Sequence, residues 1–169
     1  CVADCVIESD FEVLIPDTYV ENISERIRLY RELDNIPDEA GLEKFGQELK
    51  DRFRVASRYD NELSNYFGKQ KILDNCKSAY ALYTITCEDR DELAAYLKSN
   101  GIPCGTYYPR PVHTQTAYAQ WNTRSLPVCE KLSKTALSIP MTPYLDNQDL
   151  DYVINCMNEF AAKKTSKAA

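Results

Sequence analysis

An apolar stripe between residues 42 and 66 constrains the fold more than any other feature of the sequence. Its members are three or four residues apart, which is the spacing of one face of an α-helix. They are Leu42, Phe45, Leu49, Phe53, Ala56, Tyr59, Leu63 and Tyr66. The stripe predicts one helix from Glu39 to Phe67, roughly 40 Å long, with Gly68 as its C′ glycine. The alternative is two helices with a kink at Arg54-Val55.

The next forty residues alternate between strand and helix signals. Ser78–Cys87 is rich in aromatic and β-branched residues and predicts a strand. Asp89 or Asp91 can cap a helix that ends at Asn100-Gly101. A second short strand is predicted at Ile102–Thr106.

The C-terminal part continues the alternation. Pro127–Leu137 predicts an amphipathic helix with proline in its first turn, and its inward positions would be Val128, Leu132 and Leu137. Two prolines make Ser138–Tyr144 an edge strand or a loop. Asp146–Asp149 offers caps for a last helix, whose apolar positions are Leu150, Val153, Ile154, Met157 and Phe160. The tail 163–169 is predicted to be disordered.

This order of elements is typical of an α/β fold, here a two-layer α+β arrangement with a small sheet covered by helices. A strand–helix segment precedes the long connecting helix. Its strand is predicted at Cys5–Ile15, and its helix runs from about Ile23 to Leu33.

Charge divides the chain near Arg54. Residues 1–54 hold 14 acids and 7 bases, a net −7, whereas residues 55–169 hold 12 acids and 13 bases, a net +1. The overall net charge of −6 argues against direct nucleic-acid binding, and no apolar run is long enough for a membrane span. We expect a segment 1–54, a domain 55–162 and the tail. Because the chain begins with Cys1, we expect a fragment.

Cysteine usage predicts free thiols rather than a metal centre. The seven cysteines include no Cys-x-x-Cys pair, and the chain has a single histidine, so a structural zinc site is not expected. Unpaired cysteines are typical of a reducing cytoplasm, which is the predicted location.

The segment Tyr107–Tyr118, YYPRPVHTQTAY, holds that histidine, His113. Pro109 and Pro111 favour extended geometry and exclude a helix. The segment therefore predicts an ordered loop that projects aromatic and polar side chains, and loops of this kind often carry function. The alternative is a connector that its prolines only stiffen.

A series of short motifs follows in a fixed order from Val55 to Phe160. They are Tyr83-Thr84-Ile85, Asp89–Leu93, Tyr96-Leu97-Lys98, Gly101-Ile102-Pro103, Tyr108-Pro109-x-Pro111-x-His113-x-Gln115, Ala117-Tyr118, Pro127-Val128, Glu130-Lys131-Leu132, Leu137–Leu145 and Asp151–Ile154. Together they resemble the C-terminal small domain of DegT/StrS-type sugar aminotransferases. One departure is Thr116, where that family usually has proline.

This resemblance implies pyridoxal phosphate in the full-length relatives, although this fragment is expected to bind no cofactor. The cofactor needs a Schiff-base lysine, a pyridinium partner and a phosphate cradle, which the family places in a large N-terminal domain. We interpret Lys69 and Lys71 as solvated surface charges. No catalytic residue and no metal ligand is expected.

The resemblance also implies that the loop closes the nucleotide-sugar side of an active site. Its candidate substrate-binding residues are Tyr108, Arg110, His113 and Gln115. His113 would donate to a sugar or phosphate oxygen, with Arg110 as an anion contact. The alternative is a structural histidine that is hydrogen-bonded to nearby backbone.

A second set of motifs lies between Cys5 and Phe53. It comprises Asp10-Phe11-Glu12, Leu14–Asp17, Tyr19-Val20, Ser24-Glu25-Arg26, Leu29–Leu33 and Leu49-x-Asp51-Arg52-Phe53. These resemble the start of the C-terminal domain of bacterial transcription-repair coupling factor, which expects glycine where Arg54 stands. The resemblance implies a hybrid of two truncated domains and offers the alternative function, a regulatory module that binds a protein partner through residues 5–53.

Two further partners follow from the aminotransferase resemblance. One is the large domain of an aminotransferase, and the other is a second copy of the chain. Without a large domain, the Val55–Phe67 helix would expose apolar surface, and such surface drives self-association.

Overall fold

The structure is a computed structural model that describes residues 39–168. The strand predicted at Cys5–Ile15 and the helix predicted after Ile23 lie outside the described residues. Contacts divide the chain between Phe45 and Gly46, and the fold below is that of the second unit. Its elements, with the long helix that enters it, are α1 Glu39–Glu62, β1 Tyr83–Thr86, α2 Arg90–Ser99, α3 Pro127–Thr135, β2 Ala136–Ile139 and α4 Asn147–Ala168. The α/β prediction is confirmed.

A two-stranded antiparallel sheet lies at the centre of this unit. Tyr83 pairs with Ile139, and Thr86 pairs with Ala136. Single backbone bridges extend the sheet on both sides, from Gly68 to Thr86 and from Gly105 to Ser138. Helices and loops therefore attach to a sheet only four residues long.

Both predicted strands before the loop are shorter than expected. β1 begins at Tyr83 rather than Ser78, because Tyr80 has a φ of 48°, a left-handed conformation that does not continue a strand. The strand predicted at Ile102–Thr106 is reduced to the bridge at Gly105. Pro103 has no N–H to donate to a longer ladder. The predicted end of α2 is confirmed, since Gly101 has a φ of 71°.

One apolar core joins both long helices to the sheet. The apolar positions predicted for the last helix are all buried in it. They share the core with Val55, Ala56, Tyr59, Leu63 and Phe67. The expectation that the Val55–Phe67 stretch exposes apolar surface is therefore wrong, because this chain buries that face itself. Large exposed apolar side chains are found instead between residues 107 and 132; they are Tyr107, Tyr108, Val112, Tyr118, Trp121, Leu126, Val128 and Leu132.

The long helix is continuous through Arg54, as predicted, but it ends at Glu62 instead of Phe67. Asn158 on α4 accounts for this end, since its Nδ2 donates to Glu62 O and its Oδ1 accepts from Ser64 N, both at 2.8 Å. The side chain thus satisfies backbone groups that a further turn would have paired. Gly68 is not a C′ glycine; it is the residue that bridges to Thr86.

The prediction for Pro127–Leu137 is wrong in two respects. Val128 and Leu132 are 73% and 47% exposed. The helix ends at Thr135, and Leu137 is buried on β2. Arg90 stabilises this end, because its Nη1 lies 3.4 Å from Ser133 O and 3.3 Å from Ala136 O, and a cation at a helix C-terminus is favourable.

The last helix continues to Ala168, through residues that were predicted to be disordered. Lys164 connects this end to α2. Its Nζ lies 3.1 Å from Asp89 Oδ1 and 2.6 Å from Glu92 Oε2. A double ion pair of this kind opposes fraying of the terminal turns.

We predict that Asn158→Ala lowers the free energy of unfolding by about 1–3 kcal/mol, because it leaves the Ser64 N–H and the Glu62 carbonyl without their partner. Urea denaturation measures the change. Asn155→Ala removes the same side chain from an exposed position of the same helix and is the control. Equal stability losses in the two variants would contradict the assigned role.

We also predict that Gly68→Ala destabilises the fold by about 1–3 kcal/mol. A Cβ at this position would lie 2.1 Å from Thr86 Oγ1. Thr86→Ala should recover most of the loss in the double variant. Gly46→Ala is the control, since a Cβ there meets nothing within 4 Å and should stabilise α1 by about 0.5–1 kcal/mol. Thermal unfolding of the two single variants, their double variant and the Gly46→Ala control measures these changes. A Gly68→Ala variant as stable as the unmodified chain would contradict the prediction.

Candidate substrate-binding loop and its pocket

Two short 3-10 turns, Val112–Thr114 and Thr116–Trp121, give the loop its shape. Pro111 O accepts from Thr114 N at 3.1 Å and from Thr114 Oγ1 at 2.9 Å. Gln115 N donates to Val112 O at 3.1 Å. These local bonds pair part of the backbone in 3-10 turns, without a strand or an α-helix, so the residues around His113 form an ordered loop. The expectation that the prolines exclude any helix holds for the α-helix only.

His113 is held by a carboxylate rather than by backbone. Its Nε2 lies 3.2 Å from Glu130 Oε1, and its side chain is 16% exposed. Glu130 lies in the first turn of α3. The contact therefore joins the loop to the helix that follows it, and the predicted backbone partner is replaced by a charged group.

Glu130 Oε1 also accepts from Leu126 N at 2.8 Å and from Ser125 Oγ at 3.5 Å. The Leu126 N–H and the His113 ring hold the pKa of Glu130 below its usual range. A carboxylate at a helix N-terminus is favoured for the same electrostatic reason. Glu130 is thus an ionised acceptor at neutral pH.

A shallow pocket of about 400 Å³ opens beside His113. Its lining is mostly apolar and consists of Val112, His113, Tyr118, Trp121, Leu126 and Cys129. The rings of Tyr118 and Trp121 are 6.2 Å apart and tilted by 46°. Trp121 is 66% exposed, so the pocket offers an aromatic wall next to one polar ring.

The four candidate substrate-binding residues are only partly brought together. Of these, His113 alone lines the pocket. Tyr108 is 73% exposed, and Arg110 is exposed as well. Gln115 Nε2 contacts Arg110 O at 3.5 Å, so its amide supports the loop backbone. Sequence reasoning missed Glu130 as a partner of His113, although an acid in the first turn of a helix was a usable signal.

The lysines near the core do not fit a Schiff-base role. Lys69 is not simply a solvated charge, because its Nζ donates to Asp60 O at 2.6 Å and to Leu63 O at 2.8 Å, at the end of α1. Lys71 is exposed. Among the described residues, no lysine lines the pocket. This pocket therefore does not fit the Schiff-base linkage of pyridoxal phosphate.

Residues 39–168 contain neither a candidate metal site nor a candidate membrane span. No group of three or more histidine, cysteine or acidic side chains in this range could hold a metal ion. No helix in it is both long enough and apolar enough to cross a membrane.

Sequence comparison relates most of the chain to one enzyme family. The model of the DegT/DnrJ/EryC1/StrS aminotransferase family matches residues 39–158. The match begins before Val55 and takes in Leu49–Phe53, so these residues belong to the aminotransferase match. The comparisons do not show the coupling-factor resemblance expected for them. The chain is 36% identical over 113 residues to UDP-2-acetamido-2-deoxy-3-oxo-D-glucuronate aminotransferase from Pseudomonas aeruginosa, covering 66% of this chain and 31% of that protein. It is 39% identical over 107 residues to EryC1 from Saccharopolyspora erythraea, covering 61% of this chain and 29% of EryC1.

Solved structures give the same relation. An aminotransferase from Brucella abortus superposes with a TM-score of 0.66 at 37% identity, over 72% of this chain and 33% of that one. DesV from S. venezuelae superposes with a TM-score of 0.67 at 30% identity, over 72% of this chain and 34% of DesV. The chain spans about a third of the length of these relatives. It belongs to the DegT/DnrJ/EryC1/StrS aminotransferase family.

Proposed function

We propose that the chain is the C-terminal small domain of a pyridoxal-phosphate-dependent nucleotide-sugar aminotransferase, and that it is inactive alone. The family match over residues 39–158, which covers about a third of the length of the relatives, carries the proposal. The Schiff-base lysine and the phosphate cradle would come from a larger domain. That domain is also the partner we propose, because it would cover the exposed apolar side chains of the loop.

In this proposal the loop binds the nucleotide sugar. Arg110 is exposed and carries the charge that a diphosphate needs. Tyr108 extends into solvent beside it. The aromatic wall of Tyr118 and Trp121 suits the flat face of a base or a sugar ring. His113 supplies a polar contact at the edge of that wall.

Two other expectations remain predictions. The interaction module at residues 5–53 lies outside the described residues apart from its last part. A cytoplasmic location is supported by five free cysteines in the described part of the chain, namely Cys76, Cys87, Cys104, Cys129 and Cys156.

We predict that a nucleotide sugar changes the fluorescence of Trp121, which is the only tryptophan of the chain. UDP-N-acetylglucosamine should bind weakly, with a midpoint in the millimolar range, because this domain supplies part of the pocket. Arg110→Gln should weaken binding roughly tenfold through the lost phosphate contact.

Lys77→Gln is the control for Arg110→Gln. It removes a positive charge from an exposed position outside the loop, so it should leave the titration unchanged. If the folded chain gave no fluorescence change at millimolar ligand, or if both variants weakened binding equally, the binding role of the loop would be wrong.

We further predict that the chain forms no stoichiometric adduct with pyridoxal phosphate. The titration is followed by absorbance, and borohydride reduction with peptide mapping then locates any modified lysine. Scattered, substoichiometric labelling of exposed lysines such as Lys71 fits the proposal. A single reducible aldimine at one lysine would contradict it and would give the domain its own cofactor site.

A further inference from the structure

Glu130 can only accept hydrogen bonds from the His113 ring while its carboxylate is ionised. The atom of the ring that faces it is Nε2, at 3.2 Å. An ionised carboxylate has no proton to donate. The proton of a neutral His113 ring must therefore lie on Nε2, because the opposite tautomer would place a lone pair against the carboxylate.

This contact leaves Nδ1 as the free nitrogen of the ring. Within residues 39–168, Nε2 alone of the two ring nitrogens has a hydrogen-bond partner. The described residues also contain no buried side-chain nitrogen or oxygen without a partner. The ring borders the pocket, and Nδ1 is the ring nitrogen that the described residues leave available to a ligand.

We propose that Glu130 is a positioning residue that locks His113 in the Nε2–H tautomer, so that Nδ1 accepts a hydrogen bond from a hydroxyl of the bound nucleotide sugar. The inference rests on the proposed function for its ligand, and on the Glu130 contacts for its geometry. It changes the expected role of His113, since a neutral ring held in this way is an acceptor and not a donor.

The further contacts of Glu130 make this lock rigid. The same Oε1 atom accepts from Leu126 N and is within reach of Ser125 Oγ. Its carboxylate is therefore held at the start of α3 by contacts that do not involve His113. An acceptor fixed to a helix orients an imidazole more tightly than a mobile surface carboxylate would.

Nitrogen NMR of the full chain at pH 8 tests the tautomer without any ligand. The nitrogen shifts report the proton on each ring nitrogen directly, so the tautomer is read where they show a single ring proton. We expect a protonated Nε2 and an unprotonated Nδ1. Glu130→Gln should reduce the tautomer preference, since the Gln amide can also donate to the ring. Glu88→Gln is the control. It also removes a carboxylate that contacts α3, but this one is exposed and pairs with Lys131 instead of His113.

Two substitutions of His113 separate its nitrogens. His113→Gln keeps a polar atom near the Nε2 position, and His113→Asn keeps one near Nδ1. With UDP-N-acetylglucosamine as the probe, we expect His113→Asn to retain more of the binding. Glu130→Gln should weaken binding about threefold to tenfold, as expected for one misaligned hydrogen bond. The ligand should also shift the Nδ1 resonance of the unmodified chain.

The outcomes separate the inference about His113 and Glu130 from the proposed nucleotide-sugar binding on which it rests. A protonated Nδ1 in the ligand-free chain would overturn the lock whatever the ligand does. A protonated Nε2 that also persists in Glu130→Gln would overturn the role of Glu130. A protonated Nε2 with no ligand-induced change at Nδ1 would overturn the acceptor role, while the hold of Glu130 on the ring would stand. If Trp121 fluorescence still responded to the ligand, the nucleotide-sugar site would stand as well; if it did not, that site would be wrong too.

Discussion

Burial of the Val55–Phe67 face is the constraint on which the rest of the described structure depends. A sheet of two four-residue strands buries little apolar area of its own, and two strands alone are marginally stable in water. The buried stretch of α1 and the inner face of α4 supply the missing apolar area around Ile85 and Leu137. Each fully buried side chain of this kind contributes about 1.5–3 kcal/mol. The sheet thus exists because two helices cover it.

The buried hydroxyl of Tyr59 is matched to a backbone carbonyl. The Tyr59 hydroxyl donates to Pro140 O at 2.8 Å, and burial raises the Tyr59 pKa, which keeps the phenol protonated. The Tyr59 and Tyr83 rings are 4.9 Å apart. Pro140 follows β2 directly, so this bond fixes the exit of the strand against α1. A buried hydroxyl without that partner would cost about 1–3 kcal/mol.

The sequence predicts the long elements well and the short ones poorly, for physical reasons. Helical spacing identified α1 and the buried face of α4, because a stripe over many turns leaves little ambiguity. The end of α1 depends on Asn158, a residue some hundred positions away in the chain. Val128 and Leu132 have the pattern of an inward face, yet α3 lies at the edge of the unit and leaves them exposed. Local pattern cannot reveal which apolar faces a larger protein would cover.

The loop shows the same limit at the level of chemistry. Proline spacing predicted its order, and the family resemblance pointed to His113. Neither could show that Glu130 holds the ring, because the contact spans 17 residues and depends on how α3 begins. That contact decides which nitrogen is free, and hence whether His113 accepts or donates. The pocket beside it is shallow and apolar, with aromatic walls and one ordered polar edge. In the proposed function such a surface supplies orientation, and another domain would supply enclosure and the reacting groups.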